Sequence, residues 1–225
     1  MPKRLIAISP NNLRLLETNA ERRKYAALSY KWGGPQPVQA TNASLSSLMN
    51  GFRIEDLPYS LQDAVTLTQQ LGLSYLWIDA LCIIQDNEFD KSIEVSRMAT
   101  IYENAAVTIA SSRTNSAMES FLSPRTEFNR RRFDDDSSRE LFGFDYHCRD
   151  GQLGSIVLMH EYMPGLFDQE PLNTRAWAFQ ERLLSPRIID YRSEQTKWMC
   201  RMSQGQTGFT DGWLNRVLAT VITNS

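Results

Sequence analysis

Aromatic, acidic and small polar residues stand at the ends of the apolar runs that the sequence predicts as strands. The run 25–30 (YAALSY) ends on Tyr30 and leads into Trp32 and Gly33, and the run 73–79 (LSYLWID) ends on Asp79. Ligands bind beyond the carboxyl ends of parallel strands in open α/β sheets. Trp32 offers a flat face to a base or ring, and Gly33 lets the backbone turn sharply and approach a ligand closely. The pattern predicts a pocket for a ring-bearing ligand, with packing of Trp32 under the loop as the alternative.

A charged pair and a second tryptophan extend this candidate site. Asp79 either takes part in the site or caps local backbone amides, and both roles stay open at this stage. Arg175 begins a helical segment, and its planar fork suits either a phosphate or the Asp79 carboxylate. Trp177 shares a helix face with Gln180 and Glu181. For Trp177 we favour packing in the core over stacking on a ligand.

The elements that must position these residues alternate along the chain. Strand, helix, strand, helix and strand follow one another over residues 25–110. The first helix (57–72) is expected to begin with Ser60 as its N-cap and to stop at Gly72, and the second covers 88–105 as one segment. Two further strands, 4–9 and 13–18, precede the series. The alternation predicts a three-layer α/β fold with a mostly parallel central sheet.

The pattern is interrupted by an insertion at about residues 112–170, where charge blocks show no periodicity. Within it, 151–162 is predicted to add an edge strand to the sheet. His147 and His160 are the only histidines and fall in this stretch, so a metal site or a histidine triad is not expected. Regularity returns with a helix and strand over 172–191 and a strand at 196–200, and the tail 206–225 is weakly helical and leaves its natural end open.

Composition narrows the class of protein. The formal net charge of −2 predicts no affinity for DNA or anionic membranes, and no apolar run approaches the roughly 20 residues of a membrane span. Three widely separated cysteines indicate reduced thiols in the cytoplasm, and Cys82 in its apolar run is expected to be a buried hydrophobe. The loop after the first central strand, KWGG, matches neither a P-loop nor a dinucleotide-binding turn.

Three blocks in order carry a family resemblance: YAALSYKWGG (25–34), LPYSLQDAVTLTQQLGLSYLWIDALCIIQDN (57–87) and LNTRAWAFQERLLSPRIIDY (172–191). They resemble the signature blocks of the fungal heterokaryon incompatibility (HET) domain, and the likeness extends over roughly residues 4–200. It assigns residues 1–205 to one HET domain. The family is held to be distantly similar to Toll/interleukin-1 receptor (TIR) domains, which implies a flavodoxin-like fold.

The resemblance implies one catalytic residue. In TIR domains that cleave NAD, a single glutamate at a comparable helix position is the catalytic carboxylate, and Glu94 is the matching residue here. The alternative is an exposed helix glutamate paired with Lys91 or Arg97. The sequence departs from the family pattern in two places: Asp90-Lys91 replaces an aspartate-tryptophan pair, and Arg175-Ala176-Trp177 replaces arginine-glycine-tryptophan.

Two functions follow from the resemblance. The first is an effector of regulated cell death in non-self recognition that hydrolyses NAD or a related nucleotide, with Glu94 as catalytic residue and Tyr30, Trp32, Gly33, Asp79, Arg175 and Trp177 binding the substrate. It needs no cofactor. The second is a non-catalytic domain that signals by homotypic assembly. For either function we expect self-association, and a sensor or receptor protein as partner. Polar residues at strand ends, and no apolar segment that predicts a sticky surface, favour the enzyme.

Overall fold

A computed structural model describes residues 1–10, 12–124, 141–147, 153–159, 170–193, 196–201, 208–209 and 219–223. Its strands are β1 (Arg4–Ser9), β2 (Asn12–Glu17), β3 (Ala26–Tyr30), β4 (Tyr75–Trp77), β5 (Val107–Ser111), β6 (Leu141–His147), β7 (Leu153–Met159), β8 (Arg187–Tyr191), β9 (Thr196–Cys200), β10 (Gly208–Phe209) and β11 (Ala219–Thr223). Its helices are α1 (Leu45–Asn50), α2 (Tyr59–Gln70), α3 (Asp79–Cys82), α4 (Glu88–Ser96), α5 (Met98–Asn104) and α6 (Ala176–Leu184), with short 3-10 helices at Ile54–Asp56 and Pro171–Thr174.

The main sheet is mixed, with a parallel centre. Its eight strands run in the order β10-β9-β8-β5-β3-β4-β1-β2. The four inner strands β8, β5, β3 and β4 are parallel to one another, and the outer pairings on both sides are antiparallel. The predicted α/β class and the parallel centre are confirmed, while the sheet as a whole is less parallel than predicted. All four inner strands present their carboxyl ends at one edge.

The centre of the sheet is covered on both faces. Every residue of β3 and β5 is buried, although successive side chains of a strand point to opposite faces. The apolar residues of α2 recur at helical spacing, and Leu61, Ala64 and Val65 are all buried against this centre. Burial on both sides explains why the strand sequences are continuous apolar runs.

Two predicted helix boundaries are wrong. Pro58, not Ser60, precedes α2, and the Ser60 hydroxyl donates instead to the carbonyl oxygen of Glu119 at 2.6 Å. The predicted helix 88–105 is two helices that meet at Arg97, whose amide donates to the Glu94 carbonyl three residues back. This tighter turn separates α4, which buries Asp90 and Glu94, from α5, which buries Met98, Ile101 and Tyr102. The stop at Gly72 is confirmed, with φ +71°.

The insertion and the tail depart further from expectation. The predicted edge strand is β7, but it is the middle strand of a separate antiparallel sheet, β11-β7-β6. The tail, expected to be weakly helical, supplies β11, because its ATVIT segment is rich in the β-branched residues that favour strands. Residues 125–140, 148–152 and 160–169 of the insertion, among them His160, lie outside the described residues. The division of the chain at residue 205 stays a prediction.

Candidate functional site

Asp79 combines the two roles that the sequence left open. It follows β4 directly and begins α3, and its Oδ1 accepts a hydrogen bond from the Ala80 amide at 2.8 Å. The indole Nε1–H of Trp32 donates to both carboxylate oxygens, at 3.2 and 3.1 Å. Arg175 Nη2 lies 2.8 Å from Oδ2. Asp79 therefore joins the loop after β3 to the start of α6.

Arg175 closes the carboxyl end of β3. Its Nη1 donates to the Tyr30 carbonyl oxygen at 2.5 Å while its Nη2 binds Asp79. Burial opposes the guanidinium charge, but the nearby carboxylates of Asp79 and Glu181 outweigh that effect and raise the pKa of Arg175. Of the two roles that the sequence left open for this arginine, the structure shows the pairing with Asp79.

Glu181 belongs to the same group and was not among the predicted site residues. Its Oε2 accepts from the Ser29 hydroxyl at 2.5 Å, and its Oε1 lies 3.8 Å from Arg175 Nη2. Oε1 has no hydrogen-bond partner among the described residues. Burial raises the pKa of Glu181, against the opposing influence of Arg175 and Ser29. The sequence feature that could have identified Glu181 is its position one turn after Trp177 on the same helix. In the structure it faces the sheet edge that carries Ser29.

We call Ser29, Tyr30, Trp32, Asp79, Arg175 and Glu181 the Arg175 cluster. Tyr30 is fully buried in it, and its hydroxyl makes no hydrogen bond within the described part of the chain. Burial raises the pKa of Tyr30 well above its usual value, and the Asp79 carboxylate adds to the shift. At neutral pH this hydroxyl is therefore a neutral donor with unused capacity.

The backbone of Gly33 lies close to another segment of the protein. It has φ +70°, and a Cβ built on it would lie 2.2 Å from Ser116 Cβ and 2.6 Å from the Asn115 carbonyl oxygen. Gly34, with φ +148°, has nothing within 4 Å of such an atom. The half-buried Trp32 ring packs against the core, and its carbonyl accepts from the Ala117 amide at 3.1 Å. The loop is thus held against residues 115–117, and a ligand role for Gly33 stays a prediction.

Glu94 is buried in a second polar group on α4. Its side chain has 0% relative exposure, its Oε2 accepts from the Lys3 amide at 3.3 Å, and its Oε1 lies 3.4 Å from Arg97 Nη1. The pairing with Arg97 is the alternative that the sequence suggested, but the exposed position that went with it is wrong. Lys91 pairs with Glu88 at 3.9 Å.

Asp90, one turn before Glu94, is bound far more completely. Arg4 makes a buried ion pair with it, Lys3 Nζ lies 3.0 Å away, and the Ile84 amide donates at 3.1 Å. Burial alone would raise the pKa of Asp90, but the hydrogen bonds from Arg4, Lys3 and Ile84 overcome this and lower it. The two acids of α4 thus face the beginning of β1.

Cys82 connects the two groups. It is a buried free thiol, as expected from the sequence. Burial raises the pKa of Cys82 to about 12, with further increments from the carboxylates of Glu94 and Asp79. Cys82 ends α3, which Asp79 begins, and its carbonyl oxygen accepts from Arg4 Nε at 2.8 Å, so it lies between the two groups. The thiol stays protonated at neutral pH and is no nucleophile.

Trp177 lies outside the core. Its relative exposure is 49%, and Phe179 and Leu183 of the same helix are 73% and 61% exposed. The predicted core packing of Trp177 is wrong, because α6 buries only the narrow face that carries Ala178 and Glu181. The expectation of no apolar surface segment is wrong for the same reason. Stacking of Trp177 on a ligand stays a prediction.

Comparison with family models shows which protein family the chain belongs to. The model of the heterokaryon incompatibility protein (HET) family matches residues 25–181, well over half of the chain. The chain belongs to the HET family. The matched segment contains every residue of the Arg175 cluster, together with Cys82 and Glu94. Comparison with curated proteins and with solved structures returned no match.

Part of the surroundings of Glu94 comes from outside the HET segment. Lys3 and Arg4, which contact Glu94 and Asp90, precede residue 25, where the match begins.

In the described part of the chain, no helix is long and apolar enough to cross a membrane. A TIR-like fold finds no support in these comparisons and stays a prediction.

Proposed function

We propose that this HET domain carries out regulated cell death after fungal non-self recognition by cleaving NAD or a related nucleotide in the cytoplasm. HET membership supports the role in heterokaryon incompatibility and cell death. The nucleotide chemistry is our inference from the site. A sensor protein is the expected upstream partner, and neither DNA nor a membrane is required.

The observation that carries the proposal is the poor satisfaction of the Glu94 carboxylate. Transfer of an ionised carboxylate out of water is costly unless short hydrogen bonds replace the lost solvent. Asp90 receives such bonds, whereas both contacts of the fully buried Glu94 are 3.3 Å or longer. We infer from this contrast that Glu94 serves a task other than packing.

The reaction suited to such a carboxylate is cleavage of an N-glycosidic bond. The bond between the anomeric carbon and the pyridinium nitrogen of NAD breaks, its electron pair stays on nicotinamide, and positive charge develops on the ribose. Glu94 would stabilise that charge, and water would then attack the anomeric carbon and lose a proton to solvent. No proton donor is needed for the leaving group, because nicotinamide departs as a neutral molecule.

The Arg175 cluster would hold the substrate near this carboxylate. Trp32 presents its indole ring at the carboxyl edge of β3, with the ring direction fixed by Asp79. The bonds from Arg175 to Tyr30 and Asp79 favour a role in positioning this edge over direct binding of phosphate. The free Tyr30 hydroxyl and Glu181 Oε1 are a donor and an acceptor that remain available.

Nicotinamide release from NAD by the purified full chain tests the chemistry. The matched variants are Glu94→Gln, which removes the buried charge, and Glu88→Gln, which removes an exposed charge from the same helix. We expect release by the wild type and by Glu88→Gln, and a loss of about 100-fold or more in Glu94→Gln, in line with the loss of one charge-stabilising group. Unchanged release by Glu94→Gln would overturn the assignment of this residue.

The exposed apolar residues of α6 favour a second candidate function, which is signalling by homotypic assembly. Phe179 and Leu183 are one turn apart and largely exposed, so they form one apolar face. Killing of fungal cells that persists in Glu94→Gln but fails in a Phe179→Ser, Leu183→Ser double variant would support assembly. The opposite result, with killing lost only in Glu94→Gln, would support the enzyme.

A further inference from the structure

The backbone of Lys3 covers part of the candidate catalytic carboxylate. Glu94 has no exposed surface, and the Lys3 amide is in direct contact with its Oε2. Pro2 is buried beside Lys3, and Met1 packs against the core. A carboxylate in this position can meet a substrate only after one of its neighbours moves.

Few bonds hold this segment in place. The Thr18 hydroxyl donates to the Pro2 carbonyl at 2.7 Å, and the Thr18 amide donates to the Lys3 carbonyl at 2.9 Å. The Lys3 ammonium, which is about half exposed, lies 3.0 Å from Asp90 Oδ1. The ladder of β1 with β2 begins only at Arg4, so release of residues 1–3 would leave the sheet intact.

The helix that carries Glu94 is firmly held, although the Arg97 side chain beside it is 53% exposed. The helix α4 is fixed by the buried pair of Asp90 with Arg4, and Arg4 also donates to the Cys82 carbonyl at 2.8 Å. Arg97 reaches Glu94 from the same helix, three residues on. Residues 1–3 lie outside the ladder of β1 with β2 and outside α4, so they can separate from Glu94 without breaking either element.

We propose that Met1–Lys3 is an autoinhibitory cover over Glu94, latched by Thr18 and Asp90, whose release exposes the carboxylate to substrate. The inference rests on the proposed function of Glu94. The cover lies outside the matched HET segment, which starts at residue 25, while Glu94 lies inside it. A part of the chain beyond the shared domain would thus control access to it.

The experiment loosens the latch without altering Glu94. The variant Lys3→Met with Thr18→Val removes the ammonium contact to Asp90 and the hydroxyl contact to Pro2. The matched control is Lys91→Met with Thr68→Val. Lys91 is a partly exposed lysine of α4, and the Thr68 hydroxyl is a buried donor to the Ala64 carbonyl at 2.6 Å. Lys3→Met alone serves as a milder variant, since this side chain is half exposed.

Two readouts are followed on the full chain: the rate at which a carbodiimide and an amine label the Glu94 carboxylate, and nicotinamide release from NAD. We expect labelling of Glu94 to rise about tenfold in the latch variant, the size of one lost hydrogen-bonded contact to a charged group, and nicotinamide release to rise with it. The control variant should match the wild type in both.

The other possible results distinguish failure of the proposed cover from failure of the proposed nucleotide cleavage. Unchanged labelling of Glu94 in the latch variant overturns the cover. Faster labelling with unchanged or lower nicotinamide release also overturns it, because Lys3 would then position Glu94 and not block it. Faster labelling with no nicotinamide release by any variant, including the wild type, supports the cover and refutes the proposed nucleotide cleavage.

Discussion

At the residue scale, one guanidinium and two carboxyl groups organise the edge of the sheet. Arg175 lies between Asp79 and Glu181, and Trp32 and Tyr30 complete the group. Asp79 is the better satisfied of the two acids, with bonds from Trp32, Arg175 and Ala80. Glu181 keeps one oxygen without a hydrogen bond among the described residues. These two acids should therefore respond differently to removal of their charge.

Glu181→Gln is predicted to gain stability relative to the wild type as pH rises. Because burial raises the folded-state pKa of Glu181 above its unfolded value, ionisation is disfavoured in the native state. The wild-type contribution is fully present below the unfolded pKa of about 4.3 and is lost as pH rises through the folded value. Glutamine does not ionise, so the difference in unfolding free energy between variant and wild type should grow with pH in urea titrations.

The exposed Glu103, also changed to glutamine, is the control for that comparison. A stability difference between Glu181→Gln and wild type that stays flat or shrinks from acid to neutral pH would contradict the burial argument. It would show that the Arg175 contact outweighs burial at this carboxyl.

Gly33→Ala is predicted to destabilise the domain more than Gly34→Ala. Both glycines have positive φ, which costs a residue with a Cβ about 1–2 kcal/mol. Only at Gly33 would the new atom also collide with the backbone of residues 115 and 116. We expect a total loss above roughly 2 kcal/mol for Gly33→Ala, measured as the free energy of unfolding in urea. Equal losses for the two variants would show that the loop after β3 moves freely away from Ser116.

At the element scale, the contact of α4 with the beginning of β1 decides the setting of Glu94. Asp90 and Glu94 lie one turn apart and face Lys3 and Arg4. The helix α4 ends at Ser96, just beyond this pair, and α5 begins after the break at Arg97. The strands β1 and β2 are thus more than an addition to the edge of the sheet: they complete the surroundings of the candidate catalytic residue.

Asp90→Asn is predicted to lose about 3–5 kcal/mol of stability at neutral pH, because it leaves the buried Arg4 without its partner charge. The folded pKa of Asp90 is lowered, so its contribution is present above an unfolded pKa of about 3.9 and is lost as pH falls through the folded value. The gap between variant and wild type should therefore narrow in acid.

Unfolding free energies from pH 3 to 7 measure that gap. Asp86→Asn is the control, since its exposed carboxylate accepts one amide hydrogen bond, from Asn42 at 2.8 Å. A gap for Asp90→Asn that is as large at pH 3 as at pH 7 would mean that the loss comes from packing and not from charge.

At the scale of the whole molecule, two surfaces suit two different functions. The carboxyl edge of the parallel strands suits catalysis, and the exposed apolar face of α6 suits assembly. The parallel strands β3 and β4 bring Tyr30 and Asp79 to one edge of the sheet, where Glu181 of α6 joins them and where open α/β sheets bind ligands. The outer face of α6 carries Phe179 and Leu183 in contact with solvent. Catalysis and assembly can coexist in one domain, since these two surfaces use different residues.

The variant Phe179→Ser with Leu183→Ser is predicted to reduce self-association of the domain while changing its free energy of unfolding by less than about 1 kcal/mol. Both side chains are mostly exposed, so the fold depends little on them, whereas a contact between copies would bury them. Sedimentation velocity over a range of protein concentrations measures the association. An unchanged concentration dependence would exclude this face of α6 as the interface.

Much of the fold was predictable because hydrophobic periodicity reports local structure. The strands β1 to β5 and the helix α2 lie where their apolar patterns indicated, and the pairing of Arg175 with Asp79 was one of the roles considered. The patterns could not reveal that Glu181 meets Ser29, since 152 residues separate them in the sequence. The exposure of Trp177 and the burial of Glu94 depend on neighbouring elements, and a single helix does not encode them.

The tail and the helical segment 88–105 show a second limit of prediction from sequence. A short segment such as 219–223 is too brief for its periodicity to separate helix from strand, and pairing with β7 determines its conformation. The split of 88–105 into α4 and α5 has a similar cause. The buried residues Asp90, Glu94, Met98, Ile101 and Tyr102 have the spacing of one face of a continuous helix, so periodicity could not reveal the break at Arg97.

The most direct test of the central claim is the NAD content of fungal cells as they die after induction of this chain. The account predicts that NAD falls before viability in cells with the wild type and with Glu88→Gln. It also predicts that NAD and viability are both preserved with Glu94→Gln at equal expression. Death of wild-type-expressing cells with NAD and related nucleotides unchanged, or equal killing by Glu94→Gln, would contradict it.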